Sequence, residues 1–359
     1  MERSGSWLRA MVVLTCLVAA SGARELRVRS KALKAVYNHT LATILVEYAS
    51  AVYMSDLTEL LSWTCPRCDG KTKGFEVIEL IVDAYVGVAK DLNAMVIAFR
   101  GTQEHSIQNW VEDLYWKQLD INYPGMPGTM LQSCSIDCCL GSSWILFCLS
   151  QYDNSTWYFG CCYKSQGLYG DINVMVTGHS TGGAMASFCR LDLVVNHEAQ
   201  NVQVLTFGQP RIGNGVFSSC YSDRVPNTIC ITNGHDIVPH LPPYYSRFPQ
   251  KTYHHFPREV WLYNIGFGSL VYQVEKVCDS SGEDPSCSRW VTGNRIADHL
   301  VYYGVGLMAE TWGSCKIVMD ARLKEYGGED VKGNLMLSRN PSASTLRLPS
   351  DSDAKGNFS

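Results

Sequence analysis

Apolar positions along this chain change period from segment to segment, and the changes mark out its elements. Leu41, Ile44, Leu45 and Tyr48 recur at helical spacing, which predicts an amphipathic helix over residues 37–54. Ser55 is placed to cap a second helix running through Leu61. Over residues 75–91 the period drops to two, predicting two strands with a turn near Asp83-Ala84. Ala94–Phe99 and the run Ile172, Val174, Met175, Val176 are almost continuously apolar, as expected of buried parallel strands. Further strands are expected at Val202–Phe207, 228–232 and 259–263. Strands interleaved with helical stretches predict an α/β sheet covered on its faces. There is no internal repeat. From 334 to 359 the chain turns to Ser, Pro, Arg, Asp and Gly, the composition of a disordered tail.

At 359 residues, 46% hydrophobic and 18% charged, the chain can bury a large core. A formal charge of −4 leaves no basic footprint for nucleic acid. Residues 1–23 read as a secretory signal: Arg3 and Arg9, an apolar run from Ala10 to Ala20, then Ser21, Gly22 and Ala23 at a cleavage site. That run is too short to span a bilayer, and no later stretch is long enough, so no transmembrane insertion is expected. The mature protein is expected outside the cell or in an endomembrane lumen. Among 15 cysteines, Cys65 and Cys68 read as a short-loop disulfide, since no second metal-binding pair follows at finger spacing. Cys278 and Cys287 bracket a polar loop suited to another bridge. Asn38, Asn154 and Asn357 open glycosylation sequons.

The chemistry centres on Val176-Thr-Gly-His-Ser180-Thr-Gly-Gly183. A buried strand precedes this Gly-x-Ser-x-Gly and a small-residue helix follows, the context of a nucleophile elbow rather than of an ordinary tight turn. The helix N-terminus behind Ser180 favours developing negative charge. Beyond the strand at Ala94–Phe99 comes Arg100-Gly101-Thr102, where a chain reversal can supply one oxyanion donor. The N–H of Thr181 supplies the other. Ile107, Trp110, Val111 and Leu114 form one apolar stripe on a short helix, read either as core-facing or as a lid that opens at a lipid surface.

A serine nucleophile needs a base, and the base needs an acid to fix its tautomer. Asp236 follows the strand at 228–232 and sits where sites on open α/β sheets collect. Asp223, the competitor, follows no strand. Of His235, His240, His254, His255 and His299, only His299 lies far enough along to sit beyond the last strand, just before an expected apolar helix. The chain order Ser180, Asp236, His299 is that of α/β-hydrolases.

These residues together resemble the class 3 lipases, the fungal triacylglycerol-lipase-like family, and in particular its plant secreted members. The matching pieces are Phe99-Arg-Gly-Thr102, Asn109-Trp110, Asp113-Leu114, the elbow, Thr206-Phe-Gly-Gln-Pro-Arg211, His235-Asp236 and Asp298-His299. The resemblance runs from about Val36 to Trp312. It implies an α/β-hydrolase fold, with a central, mostly parallel sheet flanked by helices and a helical lid at 106–115, over a domain at 24–333. It also implies ester hydrolysis on acyl lipids at a lipid–water interface, without a cofactor or metal. By the same resemblance Ser180 is nucleophile, Asp236 orients the base, His299 is the base, Thr102 and Thr181 form the oxyanion hole, and Cys65–Cys68 and Cys278–Cys287 are local bridges. Residues 128–169 depart from the family pattern: they are rich in cysteine and aromatics with no helical period. A soluble-ester esterase of feruloyl type and a catalytically silent binding protein are the rival readings.

Overall fold

Among the described residues ten strands form one sheet whose centre is parallel and whose wings are antiparallel. In chain order they are β1 (Glu76–Ile81), β2 (Ala84–Ala89), β3 (Ala94–Phe99), β4 (Asn173–His179), β5 (Val202–Phe207), β6 (Thr228–Asn233), β7 (Glu259–Phe267), β8 (Leu270–Val277), β9 (Gly327–Glu329) and β10 (Leu335–Ser338). Their spatial order is β8-β7-β6-β5-β4-β3-β2-β1-β10-β9. The structure, a computed structural model, describes residues 37–81, 83–101, 118–120, 130–132, 172–244, 252–256, 258–267, 270–291, 295–308, 326–329 and 335–339.

Strands β3 to β7 make the parallel block. β2 and β3 are buried at every position. The alternation read over 75–91 therefore does not become a half-wet strand at β2, because helices cover the sheet. Three helices do most of this work: α1 (His39–Ala51), α2 (Leu57–Ser62) and α3 (Thr181–Val195). Asn38 caps α1 by accepting the Leu41 N–H. Asp56, rather than Ser55, caps α2, since its carboxylate takes the N–H groups of both Thr58 and Glu59. Met185, Ala186, Cys189 and Leu193 of α3 pack on Ile97, Val176 and Val204 of the sheet. The other flank of α3 packs Phe188 and Leu191 against Phe217 and Tyr221 of α4 (Gly215–Arg224), with Tyr221 stacked on Phe256 at 3.8 Å. Cys65–Cys68 and Cys278–Cys287 are both disulfide-bonded.

Several segments differ from the sequence reading. The strand expected at 259–263 runs on to Phe267 and turns back as β8. Within the stretch expected as a tail, Leu335–Ser338 pairs with β1, because Leu337 fits the apolar layer beside Leu80. The helix expected after His299 is instead a hairpin, Val301–Tyr302 against Val305–Gly306. Tyr303 and Gly304 turn it with φ of 52° and 78°. In the cysteine-rich stretch the described part is Met130–Gln132, a strand of a separate four-stranded sheet. The rest of that stretch, residues 1–36 and residues 340–359 lie outside the described residues. Among the described residues no helix is long and apolar enough to cross a membrane.

The register aligns the carboxyl ends of the central strands. Phe99 pairs with Gly178, Gly178 with Thr206, and Thr206 with Cys230. The segments leaving β3, β4, β5 and β6 thus emerge side by side, where ligands of open α/β sheets are held.

Candidate active site

Ser180 is the hinge between β4 and α3. Its backbone sits at φ 58°, ψ −129°, a conformation that non-glycine residues rarely adopt. The turn is fixed on both sides: Ser180 N–H donates to Phe207 O at 2.9 Å, and Gly183 N–H donates to Ser180 O at 3.0 Å. Such a tight reversal leaves no space at Gly182, where an added Cβ would lie 2.4 Å from Phe99 O. The Ser180 side chain is held at the start of α3, with Thr181 in its first position. Backbone N–H groups of a first helical turn point away from the helix body, toward any anion placed there.

Asp236 lies in the segment after β6 and is fully buried. One carboxylate oxygen, Oδ1, accepts the Val238 N–H at 2.8 Å. The other, Oδ2, accepts from His299 Nδ1 at 2.8 Å and from the Tyr302 hydroxyl at 2.6 Å. A carboxylate can only accept, so Nδ1 of His299 carries the proton and its Nε2 presents a lone pair. His299 ends the short helix α5 (Ile296–His299). Asp236 and Arg295 form a parallel bridge, and the Arg295 N–H donates to His235 O at 2.8 Å, seating α5 against the acid loop. Gly208 underlies the pair: a Cβ there would lie 2.8 Å from both Asp236 Oδ2 and His299 Nδ1.

The His179 ring lies 4.3 Å from that of His299, which brings His299 to the residue adjoining Ser180. Ser180 Oγ and His299 Nε2 are both buried, and among the described residues neither has a hydrogen-bond partner. A buried hydroxyl donor and a buried ring-nitrogen acceptor, both left open on adjoining segments, are the parts a proton transfer needs.

The other candidates are engaged elsewhere. Asp223 is exposed on α4. Burial pushes His240 and His255 each down to about 4, and the His255 ring is held by Pro239 O at 2.8 Å. His254 packs edge-on against Tyr244. Thr102 and the stripe Ile107, Trp110, Val111 and Leu114 lie outside the described residues, the chain being described up to Gly101. Among the described residues one group, Glu259 with Cys278 and Cys287, brings three metal-type donors together. Both cysteines are tied in the disulfide and offer no thiolate.

Sequence reasoning missed two contributions. Tyr302 is the third donor to Asp236, and its only signal was its place three residues past the candidate base. Arg211 lies buried against Glu283, with Nε–Oε1 at 2.7 Å, and donates to the carbonyls of His240 and Pro242. It thereby braces the acid loop.

The chain matches the family described as lipase (class 3) over residues 96–246, a span that holds Ser180 and Asp236. A lipase of Rhizomucor miehei is 30% identical over 257 residues, covering 68% of this chain and 62% of that protein. The chain therefore matches less than two thirds of this relative's length. A secreted mono- and diacylglycerol lipase of Fusarium solani is 32% identical over 131 residues, 36% of this chain and 37% of that one. The solved structure of the Rhizomucor miehei triacylglyceride lipase superposes with a TM-score of 0.59 at 28% identity, covering 76% of this chain and 97% of that one. These relatives are fungal, so the plant secreted subtype rests on the sequence reading alone. In sequence and in fold, the chain belongs to the class 3 lipase family.

Proposed function

We propose that this protein is a serine-dependent lipase that hydrolyses carboxylic esters of acyl lipids, acylglycerols foremost. The observation that carries the reading is the buried Asp236–His299 pair, whose open Nε2 adjoins the strained Ser180 elbow. Support comes also from the names its relatives carry, a triacylglyceride lipase and a secreted mono- and diacylglycerol lipase.

In this mechanism Ser180 Oγ attacks the ester carbonyl while His299 Nε2 takes the hydroxyl proton. Asp236 holds the imidazole in the required tautomer and stabilises the imidazolium that forms. Negative charge on the tetrahedral oxygen is met by the N–H groups of Thr181 and Thr102. His299 returns its proton to the departing alcohol, and the ester becomes an acyl-Ser180. Water, deprotonated in turn by His299, then releases the fatty acid and restores the serine. No step calls on a metal or cofactor.

The stripe Ile107, Trp110, Val111 and Leu114 acts as a lid toward a lipid–water interface, a role taken from its helical spacing. Export through the signal at 1–23 accords with two closed disulfides, since such bonds persist in oxidising compartments. The test is release of fatty acid from an emulsified triacylglycerol by the purified protein, with Ser180→Ala as control. Release that Ser180→Ala abolishes is expected. No release from emulsified or soluble esters overturns the reading in favour of a silent hydrolase fold.

A further inference from the structure

A continuous chain of hydrogen bonds crosses the site beneath Ser180, and neither the triad nor the oxyanion hole accounts for it. Gly101 N–H donates to the Tyr53 hydroxyl oxygen at 3.1 Å. That hydroxyl lies 2.7 Å from His179 Nδ1. The other ring nitrogen, His179 Nε2, lies 2.8 Å from the backbone carbonyl of His299. The geometry points to Tyr53 and His179 as positioning residues that tie the loop entering the oxyanion hole to the backbone of the catalytic base. The assignment rests on the reading of Ser180 and His299 given above.

With a neutral His179 ring, the protons in this chain follow from its acceptors. A peptide carbonyl only accepts, so Nε2 of His179 carries the hydrogen. A neutral ring then offers Nδ1 as acceptor, and the Tyr53 O–H must donate to it. The Tyr53 oxygen keeps a lone pair for Gly101 N–H. Every member has one polarity, and reversing any bond would break its neighbour.

Three features suit the chain to positioning. First, it joins segments that are remote in sequence: Tyr53 is 126 residues from His179, and His179 is 120 from His299. Second, it is buried, with Tyr53 at 2% exposure and both histidines at 0%. Third, burial, and then the neighbouring His299, hold His179 well below its ordinary value, so its ring stays neutral. A neutral ring at 4.3 Å adds no second positive charge when His299 takes the serine proton. Gly101 is wedged into the same spot. A Cβ there would lie 2.4 Å from His179 O, 2.7 Å from the Tyr53 hydroxyl and 2.8 Å from Ser180 Cβ. The entry to the oxyanion hole, the nucleophile and the base therefore share one hydrogen-bonded frame. Misplacement by about 1 Å in such a frame costs roughly 10²-fold in rate.

Tyr53→Phe keeps the ring and removes only the hydroxyl. In the full-length protein, with p-nitrophenyl butyrate as a soluble ester, kcat should fall roughly 10- to 100-fold. KM should change little, while the melting temperature falls modestly, because the Gly101 N–H and His179 Nδ1 lose a buried partner. Fluorophosphonate labelling of Ser180 should slow in parallel. The double variant Tyr53→Phe/His179→Gln should be no slower than His179→Gln alone, because members of one chain are non-additive. Wild-type kcat in Tyr53→Phe, a loss confined to melting temperature, or additive effects would overturn the proposal. A second measurement needs no variant: ¹⁵N-histidine NMR of the wild-type protein should show His179 neutral at pH 7 with its proton on Nε2, and a proton on Nδ1 would overturn it. If the wild type itself fails to label at Ser180, the reading of the triad falls and takes this proposal with it. If the wild type labels and Tyr53→Phe labels equally fast, the positioning role alone falls.

Discussion

Arg211 and Glu283 form a buried, two-pronged ion pair, with Nε–Oε1 at 2.7 Å and Nη2–Oε2 at 3.0 Å. Arg211 also donates to the carbonyls of His240 and Pro242, and Glu283 accepts the His255 N–H. One guanidinium thus joins the disulfide loop 278–287 to the segment that follows Asp236. Removing one partner of such a pair strands a charge indoors, so Arg211→Met should cost about 3–5 kcal/mol in urea unfolding. Glu283→Gln should be milder, because an amide oxygen still accepts. Burial pushes the Glu283 carboxyl up, but the charge and hydrogen bonds of Arg211 outweigh it and hold it below its ordinary value. A carboxyl lowered on folding contributes stability that is present above its unfolded pKa and lost as pH falls through its folded one. Wild-type protein should therefore lose stability below about pH 4.5 more steeply than Glu283→Gln. Parallel profiles would refute this.

Glu259 lies close by and titrates in the opposite sense. Burial raises it to about 7, despite hydrogen bonds with Ser288 and Thr232. Here the sign reverses: the stability it contributes is complete below its unfolded pKa and is lost as pH rises through about 7. Glu259→Gln keeps the shape and removes the titration. It should be more stable than wild type at pH 8, by on the order of 1–3 kcal/mol, and nearly equal at pH 5. Melting temperatures at the two pH values decide it. A variant equally destabilised at both would show that Glu259 is held as a charge.

Tyr302 donates to the same oxygen of Asp236 that His299 uses, and it accepts the Asn233 N–H at 3.3 Å. Tyr302→Phe leaves Asp236 with two donors and the Asn233 N–H with none. A loss of roughly 1–3 kcal/mol in stability should follow. On the proposed mechanism kcat should fall several-fold as well, far less than in His299→Ala. An unchanged kcat would show that Val238 and the His299 ring hold Asp236 unaided.

For the stripe Ile107, Trp110, Val111 and Leu114, the prediction concerns substrate form. Covering that face in water saves roughly 25 cal/mol per Å², and a lipid surface removes the difference. Rates should rise when the substrate passes from monomer to droplets. Trp110→Ser should blunt that rise more than it slows a short soluble ester. Equal rates on both forms, with Trp110→Ser neutral, favour a soluble-ester esterase.

What the sequence made legible follows from how local each signal is. The elbow could be read because Gly178, Ser180, Gly182 and Gly183 sit within six positions, between a strand and a helix that each carry their own periodicity. The parallel block was legible as continuous apolar runs such as Ala94–Phe99. His299 was singled out by chain order and family resemblance, and the structure sets its Nδ1 against Asp236. Partners chosen by three-dimensional approach were hidden. Nothing near Tyr53 in the sequence points to His179, and nothing near Arg211 points to Glu283 across 72 positions. The strand at Leu335–Ser338 was masked by the polar composition around it, since its apolar run is only three residues long.

The central claim is that Ser180 is a nucleophile activated by His299 and Asp236. It is tested most directly by mass spectrometry of the purified protein after brief exposure to a fluorophosphonate. The account predicts one phosphonyl adduct, on Ser180. The adduct should be absent in Ser180→Ala and formed orders of magnitude more slowly in His299→Ala, because triad members act as a unit. A folded wild-type protein that takes up no probe, or labelling that persists at full rate without His299, would contradict it.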